Sequence, residues 1–293
     1  MSEVKVIDVS PKGLKGYISS FVVIDDKVAV IDPGPEASYD RLREGLSELG
    51  VRPDLVFVTH VHLDHAGAAA HLLKDFSGSV VYAHPRGVPH LIDPSRLYAA
   101  AYEVTPLLPE TYGRPLSAEP SRVREAPEGL RVELGRSSIR VIHTPGHASH
   151  HMSLLLEPDG VIFTGDSAGV VFSFVGLEVA MPTSPPPFKP KMYLEAISKM
   201  EAASPRLFAP THFGLHGDAM KWLSIARQQA VSWLEIIRAI GPDMDLATLE
   251  RAIAQREQQI ARLLEDRESF AVRAFLDTTI IGLVDAIKRN EWP

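Results

Sequence analysis

The chain has 293 residues, 45% of them hydrophobic and 23% charged, which excludes disorder as the dominant state and leaves room for one large domain or two small ones. Thirty basic against 37 acidic residues give a net charge of −7 with no basic block, so non-specific nucleic-acid binding is not expected. Cysteine is absent, which excludes disulfides, iron–sulfur clusters, thiolate zinc sites and cysteine nucleophiles; any metal must be held by nitrogen and oxygen.

The first residues, Met1 to Val6, lack a basic-then-apolar leader, and no apolar run is long enough to span a membrane, so a cytoplasmic protein is expected. Residues 4–9 and 17–32 read as strands, with Asp25-Asp26-Lys27 as a hairpin turn. Tyr39 to Leu49 has a helical period, Leu55 to Thr59 is a short buried strand, Ala66 to Phe76 reads as a helix and Val80 to Ala83 as a strand. Residues 86–127 read as an insertion over the core, with a helix over Leu97 to Val104. Strands resume at 130–134, 138–143, 152–156 and 160–164. Residues 167–190 show no clear element, and Met181 to Pro190 reads as a stiff extended loop. A helix at 191–202 and a strand at 206–209 follow.

Beyond about residue 217 the pattern changes to three long helical stretches. Strand–helix alternation up to 216 predicts an α/β catalytic domain over 1–216, and 217–293 reads as a C-terminal helical subdomain. Leu246, Leu249, Ile253, Ile260 and Leu263 form an apolar seam that suits packing onto the rest of the chain or a homodimer contact. A single Asn, Asn290, beside 23 prolines suggests a thermophilic source.

The sharpest feature is Thr59-His60-Val61-His62-Leu63-Asp64-His65, between a short strand and a helix. In extended chain alternate side chains share a face, so His60, His62 and Asp64 point one way and His65 turns in at the helix start. Imidazole suits zinc and iron, and a carboxylate adds charge neutralisation. Three further candidates each follow a strand: His147, Asp166 and His212. One metal needs three or four ligands, so seven suggest two metals sharing a bridge.

These motifs resemble the metallo-β-lactamase superfamily, in particular its glyoxalase II-like branch, over about residues 4–216. Asp32-Pro33-Gly34 is similar to the family's early strand-end aspartate, His60, His62, Asp64 and His65 to its central motif, and His147, Asp166 and His212 to its later ligands. The resemblance implies an αββα sandwich with the helical appendage at its C-terminus. It implies that His60, His62 and His147 hold one metal, that Asp64, His65 and His212 hold the other, and that Asp166 bridges. Asp32 would orient a ligand imidazole. Asp166 departs from the lactamases proper, which lack a bridging aspartate; His62 departs from the flavodiiron proteins, which carry Glu there. No match to glutathione-binding residues is found in the tail.

The function so implied is a dinuclear hydrolase that uses a metal-bridging hydroxide to cleave a small-molecule ester, thioester, lactone or phosphoester. Two divalent ions are expected, zinc first, with iron or manganese as alternatives. Asp64 and Asp166 are the candidate catalytic residues, Asp64 for proton handling. A persulfide dioxygenase with one iron on His60, His147 and Asp166 is the main rival, and a non-catalytic metal-binding scaffold the second. His150 and His151 are candidates for relaying protons or bracing the ligands, and His216 for reaching the cleft. Residues 171–188, through Phe172, Phe174, Val175 and Leu177, and 95–112 are expected to wall the substrate pocket.

Overall fold

Residues of opposite parity in the central strands go to two different cores. In the computed structural model, which describes residues 2–174 and 177–292, Phe21 and Val23 join one apolar cluster while Val22 between them joins another. Leu154 and Leu156 part from Leu155 in the same way, and Val161 and Phe163 from Ile162. This is the period-two signature of a strand buried on both faces.

The first sheet has six strands in sequence order: β1 (Glu3–Asp8), β2 (Ser19–Ile24), β3 (Val28–Ile31), β4 (Leu55–Phe57), β5 (Val80–Ala83) and β6 (Val123–Glu125). The second begins at its edge with β7 (Arg131–Glu133), then β8 (Ser138–His143), β9 (Met152–Glu157) and β10 (Val161–Gly165). A separate hairpin, β11 (Val170–Phe174) and β12 (Leu177–Met181), precedes β13 (Leu207–Pro210) and β14 (His216–Gly217), which complete the second sheet beside β10. β1 to β3 are antiparallel, whereas β3 to β6 run parallel, as does β10 with β13. The two sheets face each other across Phe21, Phe57, Met152, Leu154 and Phe163.

Helices cover the outer faces. α1 (Tyr39–Glu48), α2 (Leu63–Ala66) and α3 (Ala69–Asp75) lie on the first sheet, burying Leu42, Leu46 and Leu72. Between β5 and β6 the insertion forms α4 (Val88–Ile92), α5 (Ser95–Val104) and α6 (Leu107–Tyr112). α7 (Pro190–Ala202) and α8 (Ala219–Ile240) cover the second sheet, followed by α9 (Leu246–Ala254), α10 (Gln258–Leu263) and α11 (Asp277–Lys288). The layers are therefore helix, sheet, sheet, helix, with the C-terminal helices appended. Among the described residues no helix is long and apolar enough to cross a membrane.

Two expectations need correction. Residues 167–190 contain the β11–β12 hairpin, paired Val170 to Met181 and Phe172 to Val179. Val170, Val171, Phe172, Val179, Ala180 and Met181 are all buried, so the strands show no apolar–polar alternation to mark them. The second tail pattern is two helices, not one. The break falls at Glu257, whose carboxylate turns inward to accept from Trp233 Nε1 and from Gln229 Nε2. The seam residues Leu249, Ile253, Ile260 and Leu263 are buried within the chain.

The tail is tied to the loop that follows β12. Thr279 Oγ1 donates to the Pro182 carbonyl at 3.0 Å, and Ser184 Oγ donates to the Thr279 carbonyl at 3.0 Å. Gly282 makes this approach possible: a Cβ there would stand 1.5 Å from the Ser184 oxygen.

Candidate metal centre

All seven sequence-predicted residues come to one edge of the sandwich because each follows the end of a strand. His60 to His65 run from the end of β4 into α2, His147 lies in the β8–β9 loop, Asp166 follows β10 and His212 follows β13. The Thr59 carbonyl accepts from Met152 N at 2.8 Å, and Ser19 N donates to the Thr211 carbonyl at 2.7 Å, so the two sheets are pinned together at this edge.

His62 Nδ1 lies 2.9 Å from His60 Nε2 and 3.2 Å from His147 Nε2. Tetrahedral ligands at about 2.0 Å from a zinc ion lie about 3.3 Å apart, so this spacing suits a shared cation. On the other side Asp64 Oδ2 is 3.3 Å from His212 Nε2 and 3.8 Å from His65 Nε2. Asp166 lies between the groups: Oδ2 is 3.4 Å from His147 Nε2, and Oδ1 is 3.3 Å from His65 Nε2 and 3.7 Å from His212 Nε2. The ligand atoms thus gather as His60, His62 and His147, as Asp64, His65 and His212, and as His60, His65 and Asp166.

The donor set fits divalent-cation binding. His65 Nε2, His212 Nε2 and Asp166 Oδ1 are buried with no hydrogen-bond partner, and each such atom costs about 1–3 kcal/mol if left unpaired. Nitrogen and oxygen donors of this kind suit zinc, iron or manganese.

An outer layer fixes which nitrogen faces inward. His212 Nδ1 donates to the Tyr17 carbonyl at 2.7 Å and His147 Nδ1 to the Thr183 carbonyl at 3.1 Å. A carbonyl can only accept, so Nδ1 carries the proton and Nε2 presents a lone pair. Asp32 does the same for His65 Nδ1 at 2.9 Å, and it also accepts from Thr59 N, Thr59 Oγ1 and Thr211 Oγ1 at 2.7, 2.8 and 2.6 Å. Asp32 is fully buried at φ 49°, a left-handed conformation that non-glycine residues adopt at some cost and that functional sites retain. Thr59, Thr183 and Thr211 were not singled out from sequence. The only available signal was a threonine immediately before His60 and before His212.

Burial, then the neighbouring imidazoles, pushes His60 and His62 well below the usual histidine range. Burial also lowers His147, against the opposing pull of Asp166. Burial alone would raise Asp166, but His65, His147 and His212 outweigh it and hold the carboxyl well below its usual range. Asp64 behaves likewise, with His65 and His212 bringing it to about 2. Neutral His60, His62 and His147 beside ionised Asp64 and Asp166 are the protonation states that metal ligation requires. His65 goes the other way: burial alone would lower it, but Asp166, Asp64 and Asp32 hold it well above the usual histidine range.

The model of the metallo-beta-lactamase superfamily matches residues 14–212, which hold all seven residues. The chain belongs to the metallo-beta-lactamase superfamily. It is 33% identical over 165 residues to a metallo-beta-lactamase fold-containing protein of Sulfurisphaera tokodaii, covering 55% of this chain and 61% of the relative. A probable metallo-hydrolase of Methanocaldococcus jannaschii is 28% identical over 154 residues, with 52% and 68% covered. A hydroxyacylglutathione hydrolase of Haemophilus influenzae is 29% identical over 150 residues, with 50% and 64% covered. The match to the first of these spans about three fifths of that relative's length. A crystal structure of an archaeal superfamily protein from Sulfolobus tokodaii shares the fold, with a TM-score of 0.71 at 24% identity over 97% of this chain and 98% of that one.

As in other uses of a strand-edge site, loops overhang the centre. They enclose a cavity of about 460 Å³ whose lining includes His62, Asp64, His147 and Asp166. The insertion supplies Leu97, Ala101, Val104, Leu108 and Tyr112, as expected for 95–112. Among the described residues of 171–188 only Thr183, Pro185, Pro186 and Pro187 line it. Phe172 does not: it is 2% exposed and stacks on Tyr17 at 5.2 Å, packed behind Phe275. The expectation for Phe172 is corrected; an apolar side chain after a ligand is drawn into whatever core lies behind it. The side chains of Phe174, Val175 and Leu177 lie outside the described residues. The tail contributes Ala274, Phe275, Thr278 and Thr279 to the wall, which sequence reasoning missed.

The remaining histidines divide. His151 is buried and accepts from Asp166 N at 3.1 Å, bracing the ligand loop. His150 lines the cavity, its ring 5.7 Å from that of His62. His216 does not reach the cleft; its Nε2 bonds the Phe213 carbonyl at 2.8 Å and its ring packs on Trp222.

Proposed function

We infer that the protein is a dinuclear metal-dependent hydrolase acting on a small-molecule ester or thioester. The observation that carries this reading is the convergence of seven ligands into two groups around one carboxylate, Asp166, beneath an apolar cavity. His60, His62 and His147 would hold one cation, Asp64, His65 and His212 the second, and Asp166 both. Such ions supply hydroxide at neutral pH and polarise the attacked oxygen.

The chain's own residues do the rest. Tyr17, Asp32 and Thr183 keep the ligand lone pairs aimed inward. Asp64, partly open to the cavity, is the carboxylate placed to hold or pass a proton on the substrate side. Leu97, Val104, Leu108 and Phe275 give the cavity an apolar wall that favours an acyl group over a highly charged ligand. The net reaction adds the hydroxyl of water to the acyl carbon and its hydrogen to the leaving oxygen or sulfur. Hydroxyacylglutathione is the named substrate of one relative. Here the cavity wall holds two basic side chains, Arg86 and Lys189, and Lys189 is paired with Glu291. This supports a less charged thioester or ester.

A panel of acyl esters, acyl thioesters, lactones and phosphodiesters assayed with zinc-loaded protein tests the reading. Turnover is expected on acyl esters and thioesters. Turnover confined to phosphodiesters, or oxygen uptake by an iron-loaded form with no hydrolysis, would contradict it.

A further inference from the structure

Tyr112 ends α6 and is 2% exposed, its ring edge-on to Phe270 at 6.0 Å. α6 packs on α2, the turn that carries Asp64 and His65. Tyr112 therefore shares the cavity lining with His62, Asp64, His147 and Asp166. Two other hydroxyls in that lining are engaged: Thr279 Oγ1 donates to the Pro182 carbonyl, and Thr183 Oγ1 to Asp166 Oδ2 at 3.4 Å. The Tyr112 hydroxyl makes no hydrogen bond with any described residue. The ring is buried, but the hydroxyl oxygen is not among the fully buried atoms left without a partner, so it opens to the cavity that Tyr112 lines, where a ligand can accept from it. A tyrosine hydroxyl ionises only at about pH 10, so at neutral pH the group is an O–H donor.

We propose that Tyr112 is a catalytic residue whose phenol donates a hydrogen bond to the acyl oxygen of an ester or thioester as that oxygen gains negative charge. The proposal rests on the hydrolase reading. In the step, the oxygen of water bonds to the acyl carbon and the carbonyl pair moves onto the acyl oxygen. The pair returns as the bond to the leaving oxygen or sulfur breaks, and the leaving atom takes the proton from water. Tyr112 keeps its own proton throughout. A donor fixed where charge develops acts on the rate and leaves ground-state binding nearly unchanged. Leu97, Val104 and Leu108, on α5 and α6 with it, would receive the acyl chain.

The test compares wild type with Tyr112→Phe, both zinc-loaded, on p-nitrophenyl hexanoate and phenyl hexanoate. Calorimetric titration with hexylphosphonate gives a readout independent of turnover. Tyr112→Phe is expected to lower kcat by about tenfold to a hundredfold on both esters alike, with KM within about twofold. It is expected to weaken hexylphosphonate binding about tenfold, with zinc content unchanged. Unchanged kcat, equal phosphonate affinity, or a loss that grows with the basicity of the leaving group would overturn the proposal. If wild type hydrolyses neither ester, the hydrolase reading fails and the phosphonate affinities alone decide the role of Tyr112.

Discussion

Asp32 shows how one side chain can organise a cluster of candidate metal ligands without being one of them. Its carboxylate gathers Thr59 after β4, Thr211 after β13 and His65 in α2, and so sets both the ring orientation of His65 and the spacing of the two sheets. Asp32→Asn keeps the shape and tolerates the left-handed backbone, but it replaces an acceptor with a donor facing three donors. Zinc affinity measured by chelator competition should fall about tenfold to a hundredfold with the fold retained. Unchanged affinity would show that His65 needs no such brace. Asp166 poses a sharper case, since each of its oxygens faces a different ligand group. Asp166→Asn should bind at most one zinc and lose more than about a hundredfold in turnover while its circular dichroism stays native. Near-normal turnover would remove Asp166 from the bridge.

At the scale of elements, the short strands and their ends carry the site, and these were legible in the sequence. The run from Leu55 to His65 reads as strand, ligands, helix, and the structure has β4, the ligand loop and α2. What was not legible has a common cause. The β11–β12 hairpin is buried on both faces and so lacks alternation, and the α9–α10 break depends on Glu257 finding Trp233 and Gln229 far along the chain. Phe275 and Thr279 in the cavity wall were equally hidden, because local pattern says nothing about which distant loop a helix will cover. The tail also contains a titrating contact. Burial, then Glu250, pushes Asp277 up to about 7, against the pull of Arg267 and Arg273. A raised folded pKa means the folded state binds the proton more tightly. The stabilisation is therefore complete below the usual 3.8 and is lost as pH rises through about 7. Wild type should lose Tm between pH 5 and pH 8 relative to Asp277→Asn, which cannot titrate. Parallel Tm curves for the two proteins would refute this account of Asp277.

For the whole molecule, the sandwich supplies rigidity and the attachments supply the pocket. Both sheets end at the candidate metal centre, the insertion covers it from one side, and the tail, through Phe275, and the loop at Pro185 to Pro187 close it. Ligands on strand ends stay in place because the strands are packed between two apolar layers, while the loops above them set what can enter. The superfamily fold therefore fixes the reaction class less than the insertion and the tail fix the substrate. The claim on which the account stands is that two cations act together in this centre. The direct measurement strips the protein with chelator, returns zinc in steps, and follows p-nitrophenyl hexanoate hydrolysis against zinc bound per chain. Activity should rise to a plateau at two zinc ions per chain; a plateau at one, or turnover independent of zinc, would contradict the account.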